Sequence, residues 1–129
     1  MFTTKGLVSA EVFSDFLSMA EHLLSEHYKD PAAVLAGSVL EEHLRQLCQR
    51  NSIPIEPIRS DGTSVPLKAD ALKAELAKAG IYTALDQKQI TAWLDVRNKA
   101  AHGKYAEYSE AQVDLMLRGV GEFITRTPI

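Results

Sequence analysis

The chain has 129 residues, of which 46% are apolar and 24% charged, and a formal net charge of -3; this is the composition of one globular domain with a single core, not of a disordered or fibrous chain. The acidic balance excludes a whole-molecule positive field, so any contact with nucleic acid has to come from a local patch. A single cysteine excludes an internal disulfide, no apolar run approaches membrane-spanning length, and residues 1–6 lead into no hydrophobic export segment, so the expected setting is the cytoplasm, without a membrane partner.

Apolar positions from Val12 and Phe13 through Phe16, Leu17, Ala20, Leu23 and Leu24 to Tyr28 recur with the helical period, which predicts an amphipathic first helix over residues 9–29. Its His22 and Glu26 share a face, but no third ligand has matching spacing, so a solvated polar face is expected and no metal or cofactor is called for. Asp30-Pro31 reads as an N-cap followed by the first residue of a second helix. Ala33, Ala36, Gly37, Leu40, Leu44 and Leu47 line that helix, and its small residues would let another helix approach closely. Glu41 lies on the shoulder of this stripe, within reach of a cation from another element or of Arg45 one turn on. His43 on the other shoulder reads as a packing residue, and Cys48 beside Leu47 as an inert buried thiol.

Pro54, Pro57 and Pro66 forbid a helix over residues 51–66, and Ser60-Asp61-Gly62-Thr63 signals a turn. Loops of this length are usually functional or mobile; here Ile53, Ile55 and Ile58 are expected to pack as an extended arm, with Arg59 free to reach a phosphate. Leu67, Leu72, Leu76 and Ala79, stopped by Gly80, give a short third helix. The fourth is expected over residues 85–102, and a fifth begins at a capping box formed by Ser109 and Gln112 and carries Val113, Met116, Leu117, Val120, Phe123 and Ile124. The prediction is an all-α, single-domain antiparallel bundle of four to five helices, residues 1–129, with a long loop between helices 2 and 3.

The fourth helix holds the chemistry. Ile90, Trp93, Leu94 and Ala101 share one face, and Arg97 falls on it too. A guanidinium in an apolar stripe requires a carboxylate, backbone carbonyls, a subunit boundary or a phosphate, and Glu41 is the expected carboxylate. Gly103 has the position of a left-handed helix cap, which puts His102 in the last turn. A permanent cation and a titratable imidazole are the minimum equipment for metal-free cleavage of a phosphodiester. Five residues of helix turn about 140° and rise about 7.5 Å, however, so Arg97 and His102 form two walls of a groove that a second subunit could close, while Asn98 shares a face with His102.

The segment Arg97-Asn98-Lys99-Ala100-Ala101-His102 resembles the Arg-x4-6-His motif of the HEPN superfamily (higher eukaryote and prokaryote nucleotide-binding domains). Residues 36–45, Ala-Gly-Ser-Val-Leu-Glu-Glu-His-Leu-Arg, resemble the second helix of the same domains. The resemblance covers residues 32 to about 123. It implies a helical bundle, usually a homodimer, and a metal-independent ribonuclease in which His102 acts on the ribose 2′-hydroxyl or the leaving 5′-oxygen. In that scheme Arg97 steadies the phosphorane, Asn98 orients the phosphate or the imidazole, and Lys99, Lys104 and Arg45 contribute cations toward RNA. Toxin members resemble an Arg-x4-His-x-Tyr pattern; Tyr105 stands one position further on here, which argues against tyrosine modification by a cognate antitoxin. The leading expectation is a homodimeric ribonuclease of toxin or defence type, with a regulatory protein partner as an option. The alternative is a non-catalytic dimerisation, nucleotide-binding or RNA-binding module acting as a scaffold, or an adaptor gripping a partner through the long loop.

Overall fold

The computed structural model describes residues 10–129, and within them five α-helices form one bundle: α1 (Ala10–Ser25), α2 (Lys29–Arg50), α3 (Ala69–Lys78), α4 (Ala84–Ala101) and α5 (Glu110–Arg126), with a 3-10 turn at Tyr105–Glu107. Ser9, the expected first helical residue, and residues 1–6 lie outside the described residues. No described residue belongs to a named strand, and no described helix is long and apolar enough to cross a membrane. The all-α bundle expected from periodicity is therefore the observed fold.

The 22-residue α2 is the spine, packed against α1, α3, α4 and α5. Its apolar positions Ala33, Ala36, Leu40, Leu44 and Leu47 are buried as the stripe predicts, but so are His43 and Gln46, because a helix surrounded by others buries more than one face. The start of α2 corrects the expected cap. Helical geometry begins at Lys29, with Tyr28 in the N-cap position and no side-chain cap. Asp30 instead accepts a hydrogen bond from the Tyr108 hydroxyl, and the Lys29 ammonium, 3.7 Å from the centroid of the Tyr108 ring, donates to the Tyr108 carbonyl oxygen at 3.2 Å. Burial and the hydrogen bond to Asp30 both push the Tyr108 hydroxyl pKa upward. Pro31 still sits in the first turn, where its missing N–H is not required.

Four helices end the same way. In each, one residue in the left-handed region reverses the chain, while the next N–H reaches back five positions: Tyr28 to Leu23 (2.8 Å), Ile53 to Cys48 (2.8 Å), Ile81 to Leu76 (3.1 Å) and Lys104 to Lys99 (2.8 Å). Gly80 and Gly103 fill this position after α3 and α4, as expected from sequence. After α1 and α2 it is held by His27 (φ 68°) and Ser52 (φ 59°), residues for which left-handed backbone carries a steric cost. His27 has a compensating contact, its Nδ1 lying 3.2 Å from a Glu110 carboxylate oxygen.

The long connection between α2 and α3 is a small hairpin. Ile58 and Ser64 form an isolated antiparallel bridge, Arg59 N–H donates to Thr63 O at 2.7 Å, and the Asp61 carboxylate accepts from Thr63 N–H at 2.9 Å. Ile53 and Ile55 pack against the core as expected. Ile58 does not: it is 79% exposed. The fourth helix starts one residue earlier than expected, at a capping box of Thr83 and Asp86, and Asp86 is tied to the end of α5 by Arg126 at 2.9 Å. Ala101 is exposed, whereas Ala100 is buried. Ala100 lies seven residues after Trp93, so the last turn of α4 is covered from the Trp93 side, by the segment that follows the helix, instead of from the Leu94 side.

His43 packs edge-on between Phe13 and Phe123, and its Nε2 meets the Thr127 hydroxyl at 2.9 Å. Burial lowers its pKa to about 4, with Thr127 opposing in part. Cys48 is likewise sealed in, and burial raises its thiol pKa to about 11, an unreactive setting. Because the unfolded chain binds a proton at His43 near pH 6.5 and the folded chain only near 4, stability is complete above 6.5 and falls as pH drops from 6.5 toward 4. The loss across that window is about 3 kcal/mol at most; urea midpoints at pH 7 and 4.5 should separate more widely for the parent than for His43→Phe. Ser52→Gly is expected to add roughly 0.5–1 kcal/mol by relieving left-handed strain, read as a higher urea midpoint.

Candidate functional site

Arg97 is placed by two features of α2. A Cβ built on Gly37 would stand 2.0 Å from Arg97 Cγ and 2.5 Å from its Cβ, so the arginine stem lies across bare backbone that only glycine leaves open. One turn along α2, Glu41 meets the guanidinium, with Arg97 Nη2 donating to Oε1 at 3.2 Å. The other carboxylate oxygen of Glu41 lies 3.7 Å from Arg45 Nη2. Both partners expected for Glu41 are thus engaged, and one carboxylate is shared by two arginines. Side-chain exposures of 20% for Arg97 and 29% for Glu41 leave the pair at the rim of the core, where breaking it would strand a half-desolvated charge.

Asn98 follows from Arg97. Arg97 Nε donates to Asn98 Oδ1 at 3.1 Å. The guanidinium nitrogen can only donate, so the asparagine turns its oxygen to the arginine, and its NH2 group has no partner among the described residues. Arg97 and Asn98 open onto a cleft of about 280 Å³ bounded by Glu41 and Arg45 of α2, Leu94 of α4, and Leu67, Lys68, Ala69 and Asp70 at the entrance to α3.

His102 is elsewhere. It is the C-cap residue of α4, its N–H bonded to Asn98 O at 3.0 Å, and its imidazole is exposed with no side-chain partner among the described residues. It does not line the cleft. Within one chain Arg97 and His102 face different sides of α4, as their five-residue spacing requires, and the groove expected between them is not formed by one chain's described residues.

The expected basic residues divide. Arg45 lines the cleft; Lys99 turns away to Asp95 at 3.0 Å, one turn back on α4; Lys104 is exposed beyond the helix end, and Arg59 is exposed in the hairpin. Lys68, with its neighbours Ala69 and Asp70, is among the cleft residues that sequence reading missed. It stands just before α3 with no periodic pattern to mark it, and only the return of the long loop brings it beside α2 and α4. Among the described residues no group of three or more His, Cys, Asp or Glu is arranged to hold a metal ion, and His22 and Glu26 are both exposed on α1 and the turn after it.

Gly37→Ala tests the placement of Arg97. The gain of up to about 1 kcal/mol in helix propensity is outweighed by displacement of the arginine stem, for a net loss of about 1–3 kcal/mol in chemical denaturation. Glu41→Gln should cost about 1–2 kcal/mol while leaving the stem packed.

Comparison with family models, with curated proteins and with solved structures yields no match to this chain.

Proposed function

We propose that this protein is a metal-independent endoribonuclease of the HEPN type that acts as a homodimer on cytoplasmic RNA. The observation that carries the reading is the imidazole of His102, without a side-chain partner among the described residues and exposed at the end of the same helix whose preceding turn presents Arg97 and Asn98 to an open cationic cleft. One ring exchanges protons; the other side chains hold negative charge. Because the two walls diverge on a single helix, a second copy across a two-fold axis would set one protomer's imidazole beside the other's arginine.

In this scheme an RNA phosphodiester binds with its non-bridging oxygens toward Arg97 and the Asn98 amide. A neutral His102 imidazole accepts the proton of the 2′-hydroxyl as the 2′-oxygen attacks phosphorus. The bond from phosphorus to the 5′-oxygen breaks, and that oxygen takes a proton from a protonated imidazole, which the partner's copy of the same site supplies. Arg97 offsets the charge that builds on the phosphorane oxygens. The products are a 2′,3′-cyclic phosphate and a free 5′-hydroxyl.

A second reading has its own support. Arg97 is already satisfied by Glu41 and Asn98 and packed over Gly37, the situation of a structural cation. On that reading the protein is an RNA-binding module without turnover. Incubation of purified protein with a mixed single-stranded and structured RNA pool in excess chelator separates the two. Cleavage leaving cyclic-phosphate ends, reduced at least 100-fold in folded His102→Ala and about as much in Arg97→Met, is the expected outcome. Undiminished cleavage by His102→Ala overturns the assignment, and RNA binding without cleavage by the parent selects the second reading.

A further inference from the structure

We propose that the cleft between α2, α4 and the entrance to α3 is a docking site for a second phosphate of the RNA strand, with Lys68 and Arg45 as its binding residues. This deepens the ribonuclease reading and rests on it for the identity of the ligand as a nucleic-acid strand.

The inference comes from which groups in the cleft are already used. Its lining contains three cations, Arg45, Lys68 and Arg97, and two carboxylates, Glu41 and Asp70. The acceptor side chains innermost in the cleft, Glu41 and Asn98, are each engaged by a cation. Glu41 gives one oxygen to Arg97 and the other to Arg45, at 3.2 and 3.7 Å. Asp70 lies 3.7 Å from Lys73, and the Asn98 oxygen accepts from Arg97 Nε. Asp70 at the mouth is largely exposed and leans to Lys73, and the donors left for a ligand beyond the Asn98 amide are the outer N–H groups of the Arg45 guanidinium and the Lys68 ammonium, which has no ion pair or side-chain hydrogen bond among the described residues. A cleft with three cations against two carboxylates, one cation unpaired, in a chain of net charge -3, favours an oxyanion. Arginine and lysine held apart on two elements suit the spread oxygens of a phosphodiester better than a single carboxylate.

The position of the cleft assigns its role. Arg97 and Asn98 form the α4 side of the cleft, so a strand whose scissile phosphate is held by Arg97 and the Asn98 amide continues across the cleft and brings an adjacent phosphate to Arg45 and Lys68. Lys68 and Arg45 therefore set where the strand lies and carry none of the proton transfer; they are positioning residues.

The test uses binding, separately from turnover. The probe is a fluorescein-labelled single-stranded oligonucleotide with 2′-O-methyl ribose throughout, which cannot form a cyclic phosphate, titrated by anisotropy at several salt concentrations against the full-length protein. Lys68→Gln and Arg45→Gln should each weaken binding about 3- to 10-fold and flatten the slope of log K against log salt by about 0.7, the loss of one phosphate contact on a single strand. Lys88→Gln, an exposed lysine of α4 outside the cleft, should match the parent. Equal affinity and slope for Lys68→Gln and the parent overturn the inference and leave the ribonuclease reading standing. Failure of the parent to bind the probe at low salt overturns both. Binding that depends on Lys68, joined to an absence of cleavage of ordinary RNA, keeps the docking site and removes the ribonuclease.

Discussion

The site depends on one side chain crossing one glycine. Arg97 lies over the backbone of α2 at Gly37, where any Cβ would collide with its stem, and its guanidinium closes on Glu41 one helical turn further along. Steric fit sets the distance between the helices and the ion pair sets their register. Packing alone would tolerate some sliding of Ile90 and Leu94 along α2; a half-desolvated charge with one carboxylate in reach would not. A second glycine plays the same part on the far side of α4, where a Cβ on Gly119 of α5 would stand 2.2 Å from the Trp93 ring. Two bulky side chains of α4 thus seat against two bare stretches of backbone, and the helix carrying the candidate chemistry is held from both flanks.

This anchoring explains a division along α4. At its start Asp86 is capped by Thr83 and gripped by Arg126, and in its middle Arg97 and Trp93 are seated, so the helix is fixed up to its last turn. At its end the chain reverses through Gly103, and His102 stands in solvent. Arg97 is thus held rigidly while the His102 imidazole, on a different side of the helix, is left in solvent. The buried titratable groups have the opposite character. His43 and Cys48 are kept uncharged by desolvation, which removes them from chemistry near neutral pH.

Charge in this protein is arranged locally. The chain as a whole is acidic, and along α4 the cation Lys99 is cancelled by Asp95 within the same helix. Toward the cleft the pattern inverts, since Glu41 divides its charge between two arginines and Lys68 is left over. A strand of RNA would meet little long-range attraction and a short-range positive contact. Such a surface gives affinity that falls steeply with salt.

The all-helical class, the core stripes, the glycine stops after α3 and α4, the capping box of α5 and the pairing of Arg97 with Glu41 were all legible in the sequence by itself. Each rests on short-range rules: side chains three or four residues apart share a face, caps are read within a turn, and an arginine in an apolar stripe demands a carboxylate. The tertiary structure alone decided the rest. His27 and Ser52 end α1 and α2 in a conformation their side chains disfavour, because surrounding packing overrides local preference. Asp30 became the partner of Tyr108, 78 residues on, instead of a cap, and Ala100 was buried in place of Ala101 because the segment following α4 folds back over that side of the helix. Lys68 reached the cleft because a long loop folds back on the bundle. A helical period identifies an apolar face, but what covers that face, and which charges meet at its edge, is fixed by elements far away in the chain.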